Sequence, residues 1–174
     1  LNYRTTPDCM PHLLDKKNVQ MLTAHKVFSE AELKSRCEIM LENYCKTVLI
    51  EANTMIDMAK TEIAPAVSAY VLELANTAAA KKAVDASISC NYEAGLVRKL
   101  ARLEDQIAVK VDDLEEAVMQ LQDAGSIEAE SYKIRDVILG KMGELRVACD
   151  DAETMTAKKY WPFPTYGDLL FGVK

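Results

Sequence analysis

The amino-acid sequence predicts an all-α fold, a helical bundle of four or five helices. Glycine (6) and proline (5) are scarce among the 174 residues, which favours long helices over a succession of strands and turns. Apolar residues make up 49 % of the chain, and they recur at steps of three and four, the spacing that places them on one face of a helix. Because no apolar–polar alternation is long enough to indicate a strand pattern, we expect no β-sheet.

Three regions follow one another along the chain. Residues 1–28 form a lead-in segment, in which two prolines keep residues 1–11 extended and a short helix occupies residues 12–25. Residues 29–159 form the helical bundle. Residues 160–174 form an extended, aromatic C-terminal tail, because Pro162 and its neighbouring proline do not fit a helix.

The first long helix starts with a capping box, in which Ser29 and Glu32 each satisfy the other's backbone amide. Its apolar positions are Leu33, Cys37, Leu41, Tyr44, Val48, Ala52, Met55 and Ala59, followed by Val67, Val71, Leu74 and Ala78. Pro65 interrupts this pattern, since proline has no amide hydrogen and crowds the carbonyl four residues before it. We therefore predict one long helix kinked near Pro65, or two helices in near succession, and a connection at residues 85–91.

The next helix carries a heptad seam. Its members are Leu96, Leu100, Leu103, Ile107, Lys110, Leu114, Ala117 and Leu121. Lys110 is the only polar member. Three valines beside the seam widen the apolar stripe, which suits a multi-helix bundle better than an isolated two-stranded coil.

The last helix is predicted from its two ends and its apolar face. Gly125 ends the preceding helix, and Ser126 caps the next one. Its apolar face consists of Ile127, Ile134, Ile138, Met142, Leu145, Cys149 and Ala152. We expect this helix to continue to about Lys159 and to form an antiparallel hairpin with the seam helix.

Charge and cysteine content exclude several classes of partner. The net charge is −6 with both signs interspersed, so we expect no nucleic-acid partner. No apolar run approaches the roughly 20 residues that cross a bilayer, so we expect no membrane partner. The five cysteines include no C-x-x-C pair, which indicates free thiols in a cytoplasmic protein.

No local pattern predicts catalytic, cofactor-binding or metal-binding residues. Two acidic clusters, at residues 112–116 and 150–153, flank apolar stripes and are typical of solvated helix faces. The only histidines are His12 and His25, and no E-x-x-H motif of the kind found in di-metal bundles occurs.

The aromatic tail is the one candidate contact surface. Its five rings belong to Tyr160, Trp161, Phe163, Tyr166 and Phe171. So many large rings would form an apolar patch if the tail were free in water. Two interpretations remain open: the tail folds back over a groove of the bundle, or it docks on another domain or subunit, where aromatic side chains act as anchors.

Four strings in the sequence carry a resemblance to a known family. They are Leu14–Val19 (LDKKNV), Val27–Leu33 (VFSEAEL), Ile50–Lys60 (IEANTMIDMAK) and Tyr160–Phe171 (YWPFPTYGDLLF). In this order they resemble the C-terminal region of type III glutamine synthetases. The tail string is long and idiosyncratic, whereas residues 85–130 show only helical character.

The resemblance implies that the parent enzyme makes glutamine from glutamate, ammonia and ATP through γ-glutamyl phosphate, with Mg²⁺ or Mn²⁺. It implies a ring oligomer, in which this region would contact the catalytic domain of the same chain and neighbouring subunits. In that family the metal and ATP sites belong to upstream domains whose motifs do not occur here. We therefore expect this region to be non-catalytic by itself, and the start at Leu1 leads us to expect a piece of a longer protein.

An alternative hypothesis is a free-standing helical interaction module. Such a module would self-associate, or bind a partner helix, through the seam from Leu96 to Leu121, and Lys110 would specify the register.

Overall fold

The computed structural model of the protein describes residues 3–123, 125–164 and 166–172. Within these ranges all regular secondary structure is helical, which confirms the predicted fold class. The α-helices are α1 (Thr6–Cys9), α2 (Lys16–Ala24), α3 (Glu30–Met58), α4 (Ala64–Val84), α5 (Asn91–Met119), α6 (Ile127–Lys133), α7 (Leu139–Met155) and α8 (Tyr166–Phe171). Two 3₁₀ segments (Met10–Leu14 and Gln120–Asp123) and two π-helical segments (Ala59–Ile63 and Ile134–Ile138) lie among them.

The chain divides into two compact units, each made of two segments. The first unit combines the chain up to Thr54 with Leu114–Met142. The second unit combines Met55–Asp113 with the chain from Gly143 onward. The three regions proposed from the sequence, with boundaries after residues 28 and 159, remain a prediction.

The beginning of the chain differs from the expectation. We predicted that residues 1–11 would be extended, but Thr6–Cys9 is helical and a 3₁₀ segment follows it. The physical reason is a second capping box: the Asp8 carboxylate accepts from the Thr5 amide at 3.1 Å and from the Thr5 hydroxyl at 2.7 Å. Pro7 lies in the first turn, where its missing amide hydrogen costs nothing. The short helix expected at residues 12–25 is present as α2.

The start of α3 is the predicted capping box. The Glu32 carboxylate accepts from the Ser29 amide at 2.7 Å and from the Ser29 hydroxyl at 2.8 Å. The Ser29 hydroxyl oxygen in turn accepts from the Glu32 amide at 3.3 Å. These bonds to the ionised carboxylate hold the pKa of Glu32 below its usual range.

The predicted break near Pro65 takes the form of a π-helical turn. This turn, Ala59–Ile63, directly precedes α4, in whose first turn Pro65 lies. Since Pro65 has no amide hydrogen for the Thr61 carbonyl, the regular α-helical ladder cannot run through this point. A wider turn with i→i+5 bonds absorbs the mismatch, and breaks of this kind are usual at proline.

The buried apolar side chains lie on stripes of the long helices. Fully buried large side chains include Leu33, Leu114, Ile134 and Ile138 in the first unit and Val67, Leu100, Ile107 and Leu145 in the second unit. Two predicted core residues of α3, Tyr44 and Met55, are only half-buried, and the residues that follow them, Cys45 and Ile56, are buried instead. Each of the two three-residue steps in the stripe of α3 comes one step later than we predicted, which shifts the stripe by one position at these points.

The heptad seam of α5 is buried within the chain. Leu100, Leu103, Ile107, Leu114, Ala117 and Leu121 are each at most 8 % exposed. Lys110 is half-exposed, and in the second unit its Nζ atom lies 2.6 Å from the Glu144 carboxylate. Leu96, the first member of the seam, is half-buried. The seam therefore offers little apolar surface, and self-association through it stays a prediction.

The turn before the last helix matches the prediction, but the end of that helix does not. Gly125 has a φ of +76°, and the Ser126 hydroxyl accepts from the Ala129 amide at 3.2 Å. The predicted end at Lys159 is wrong, since α7 ends at Met155. Residues 158–160 form a turn instead, closed by a hydrogen bond from the Tyr160 amide to the Ala157 carbonyl at 2.8 Å.

All five cysteines are free, as predicted. Cys37, Cys45 and Cys149 are buried, Cys90 is half-buried and Cys9 is exposed. Burial raises the pKa of the Cys45 thiol and of the Cys149 thiol to about 11 each, so both are uncharged at neutral pH. These thiols pack as small apolar groups.

Candidate functional site

The first part of the tail folds back onto α4 within the second unit. The Tyr160 hydroxyl donates a hydrogen bond to the Glu73 carboxylate. Lys159 Nζ contacts both oxygens of the same carboxylate, at 2.8 and 2.6 Å. The Tyr160 ring also packs against the ring of Tyr70, with centroids 5.4 Å apart. Glu73 therefore fixes the point at which the chain leaves α7 and enters the tail.

The next two aromatic residues form the wall of a cavity, which we call the tail cavity. Trp161 and Phe163 meet edge to face, with centroids 6.3 Å apart and planes inclined by 77°. The cavity has a volume of about 720 Å³. Its lining consists of Met55, Met58, Ile63, Leu145, Arg146, Cys149, Asp150, Glu153, Thr154, Trp161, Phe163, Pro164 and Leu169. All of these residues belong to the second unit.

The charged groups of the tail cavity come from one face of α7. Arg146, Asp150 and Glu153 are spaced by four and three residues, so they follow one another along the rim. Arg146 Nε lies 3.4 Å from the Asp150 carboxylate, and the two charges offset each other. Glu153 makes no ion pair with any residue that the structure describes. The lining thus combines an apolar interior with one uncompensated carboxylate.

The last part of the tail presents apolar side chains to solvent. On α8, Leu169 is 67 % exposed, Leu170 is 69 % exposed and Phe171 is 82 % exposed. We call these three residues the α8 ridge. The Asp168 carboxylate, 2.6 Å from Lys158 Nζ, ties the helix to the segment that follows α7. Adjacent large apolar side chains at this level of exposure are typical of a contact surface.

Of the five predicted tail residues, Tyr160, Trp161 and Phe163 fold back within the second unit, and Phe171 is exposed. Docking of the tail on another domain or subunit stays a prediction. The side chain of Tyr166 lies outside the described residues. The tail is also less extended than predicted, because α8 begins two residues after Pro164. Sequence reasoning missed Glu73, which has the appearance of an ordinary exposed charge on a helix.

The acidic clusters noted in the sequence lie partly on solvent-facing positions. Their exposed members are Asp112, Glu116, Asp150 and Asp151, and their half-buried members are Asp113, Glu115 and Glu153. Among the described residues, no three histidine, cysteine, aspartate or glutamate side chains are grouped so that they could hold a metal ion. The expectation that this region holds no catalytic or cofactor-binding residue remains a prediction.

In the described part of the chain, one helix passes a composition test for a membrane span. The continuous helical stretch Glu30–Val84 contains a window with a mean hydropathy of 1.2, of which 17 % is buried. Core helices of soluble proteins and signal sequences pass the same test, so a single such helix is weak evidence. The expectation of no membrane partner is left as a prediction.

The sequence is similar to a family model and to several known proteins. The profile of the family described as "Glutamine synthetase C-terminal domain" matches residues 1–82. The chain is 31 % identical to a glutamine synthetase of Butyrivibrio fibrisolvens over 174 residues, which is 99 % of this chain and 25 % of that protein. It is 25 % identical to the type-3 glutamine synthetase of Dictyostelium discoideum, covering 98 % of this chain and 24 % of that protein. A glutamine synthetase of Bacteroides fragilis is 24 % identical over 169 residues, with 95 % and 23 % covered. The chain spans about a quarter of the length of these curated relatives.

Proposed function

This chain is a glutamine synthetase C-terminal domain, and from that premise we propose that it is the structural, non-catalytic part of an enzyme that makes glutamine from glutamate, ammonia and ATP. The relatives with which it aligns are about four times as long as the matched region. ATP and Mg²⁺ or Mn²⁺ would be bound by other domains of that enzyme. The proposed role of this domain is to support the catalytic domain and the contacts between subunits of a ring oligomer.

One observation carries the proposal, namely the α8 ridge. Leu170 and Phe171 are exposed on a helix that is tied down at its start by the Asp168–Lys158 pair. This ion pair is exposed to solvent, so it contributes at most about 1 kcal/mol to holding the helix in place. Large apolar side chains of this kind are the usual anchors of protein interfaces.

The partner that we propose for the ridge is the remainder of the enzyme, either its catalytic domain or a neighbouring subunit. About three quarters of the relatives' length lies outside the matched region, so a large polypeptide surface is present in such an enzyme. Burial of three side chains of this size would remove several hundred Å² of apolar area from water, which would stabilise the contact by several kcal/mol before the costs of association.

We propose a cytoplasmic location for the enzyme. Five free thiols support this, since a reducing compartment keeps cysteines from pairing. The proposed substrates and ATP are consistent with the same compartment.

The test compares three forms of the full-length enzyme: the intact chain, a chain truncated before this domain, and the intact chain with Leu170→Asp and Phe171→Asp. Oligomer mass and glutamine formation are measured for each. The proposal predicts that truncation and the double substitution both reduce assembly and activity together. A matched control is Val84→Asp with Tyr92→Asp, two exposed positions of the second unit outside the ridge. If the truncated enzyme keeps full size and activity, the proposed structural role is wrong.

A further inference from the structure

We propose that the tail cavity binds a small molecule that combines a flat apolar body with a single cationic group, such as a primary alkylamine that carries an aromatic ring at the other end of its chain. This inference goes beyond the structural role described above and does not depend on it. It rests on the size of the cavity, the chemistry of its interior and the charge at its rim.

The size of the cavity suits a small organic ligand. Pockets that bind such ligands usually have volumes of about 300–1,000 Å³. The tail cavity, at about 720 Å³, lies within that range. Its residues come from α3, α7 and the tail, all within one compact unit, so the cavity does not depend on the position of the other unit.

The interior of the cavity favours a flat apolar body. Met55 and Met58 contribute flexible, polarizable thioethers that adapt to a ligand's shape and pack well against aromatic rings. Leu145 and Cys149 lie in the floor, and the Cys149 thiol is uncharged because burial raises its pKa to about 11. An uncharged thiol packs against a ligand and does not attack it, so we expect reversible, non-covalent binding.

The wall and the rim select a positive charge. Trp161 and Phe163 present aromatic surfaces, and a cation over an aromatic face is stabilised by about 0.5–1 kcal/mol at a partly exposed site. Arg146 is already neutralised by Asp150, which leaves Glu153 as the uncompensated charge of the lining. The cavity therefore attracts a cation and repels an anion of the same shape.

The test uses two probes of similar length that share a phenyl ring on an alkyl chain and end in opposite charges, 4-phenylbutylamine and 4-phenylbutyrate. Trp161 is the only tryptophan of the chain and lines the cavity, so its fluorescence reports binding directly. We expect the amine to change the Trp161 emission in a saturable way and to bind about tenfold more tightly than the acid, from the combined ion-pair and cation–π contributions.

Two variants assign the preference to Glu153. Glu153→Gln removes the charge at a half-buried position in the lining of the cavity and should abolish most of the preference for the amine. Asp151→Asn is the matched control, because Asp151 is exposed on the same helix and does not line the cavity. This control should keep the full preference.

Three results would overturn the proposal. They are saturation by neither probe, equal affinities for the two probes, and an undiminished preference for the amine in Glu153→Gln. Circular dichroism of each variant, with and without probe, shows that the emission change comes from binding to folded protein.

Discussion

The Tyr160 hydroxyl donates a hydrogen bond to the Glu73 carboxylate, which joins two residues 87 positions apart in the chain. Lys159 contacts the same carboxylate at 2.6 Å. Glu73 thus receives a neutral donor and a cationic donor from adjacent residues. This arrangement turns the chain out of α7 and starts the tail on the path that brings Trp161 and Phe163 to the wall of the tail cavity.

The first prediction concerns this contact. Tyr160→Phe removes the donor and keeps the ring that packs on Tyr70, so we expect a loss of about 1 kcal/mol, the usual net value of one hydrogen bond. For a chain of this size the melting temperature should fall by about 2–4 °C. Tyr92→Phe is the matched control, because Tyr92 is 70 % exposed and should leave the melting temperature unchanged. Equal melting temperatures for Tyr160→Phe and the wild-type chain would show that this bond contributes nothing to stability.

The second prediction tests whether the heptad seam of α5 is buried within one chain or mediates self-association. Leu100 is fully buried, so Leu100→Ala should lower the free energy of unfolding by about 3 kcal/mol through lost burial and the cavity left behind. Leu72, which is 61 % exposed on α4, is the control, and Leu72→Ala should change the stability by less than about 0.5 kcal/mol.

Denaturant unfolding at two protein concentrations completes this test. If the seam is buried inside one chain, the denaturation midpoint does not depend on protein concentration. The decrease in the free energy of unfolding caused by Leu100→Ala should then be the same at both concentrations. A denaturation midpoint that rises with protein concentration would instead support self-association through the seam. In that case Leu103→Asp, if the protein still folds, should abolish the dependence of the midpoint on concentration.

The third prediction compares a glycine in the left-handed backbone conformation, Gly125, with a glycine inside an α-helix, Gly143. Gly125 has a φ of +76°, so Gly125→Ala should destabilise the protein by about 1 kcal/mol although no atom crowds the position. Gly143 lies within α7 and also has open space around its Cβ position. Gly143→Ala should therefore stabilise the protein by about 0.5–1 kcal/mol. Thermal melts of both variants check the two signs, and a stabilising Gly125→Ala would contradict the left-handed turn.

The fold could be predicted largely because its determinants are local. The Ser29 capping box, the break before Pro65 and the Gly125–Ser126 turn each depend on residues within a few positions of one another. Residue types at these positions are sufficient to predict each of the three features from a single sequence. The start of the chain differs from the prediction, because the capping box of Thr5 and Asp8 places Pro7 in the first turn of a helix, where proline is tolerated.

The candidate site was less predictable, because its determinants are distant in sequence. The composition of the tail predicts that its rings are covered, either by the bundle or by another domain or subunit. No pattern in the sequence indicates that Glu73, Met55 and Cys149 lie near these rings. A charge on a helix face has the same appearance in sequence whether it is solvated or fixed to a residue 87 positions away. Only packing, which brings α3, α4, α7 and the tail together in the second unit, distinguishes these cases.

The last prediction concerns the pH dependence of stability through Glu93 and Lys81. Glu93 is only 5 % exposed, and Lys81 donates a short hydrogen bond to its carboxylate. This bond is the main cause that holds the pKa of Glu93 below its ordinary value of 4.5. A carboxylate whose pKa is lower in the folded than in the unfolded state contributes stability above about pH 4.5, and that contribution is lost as the pH falls through the folded-state value.

Glu93→Gln should therefore be less stable than the wild-type chain at pH 7, and the difference should shrink as the pH is lowered from about 5 to 3. Glu51→Gln, at an exposed position of α3, is the matched control and should follow the wild-type curve. Melting temperatures measured every half pH unit supply the comparison. A difference between Glu93→Gln and the wild-type chain that stays constant down to pH 3 would mean that Glu93 acts through packing alone, since only an ionised carboxylate gains from the bond to Lys81 as the pH rises.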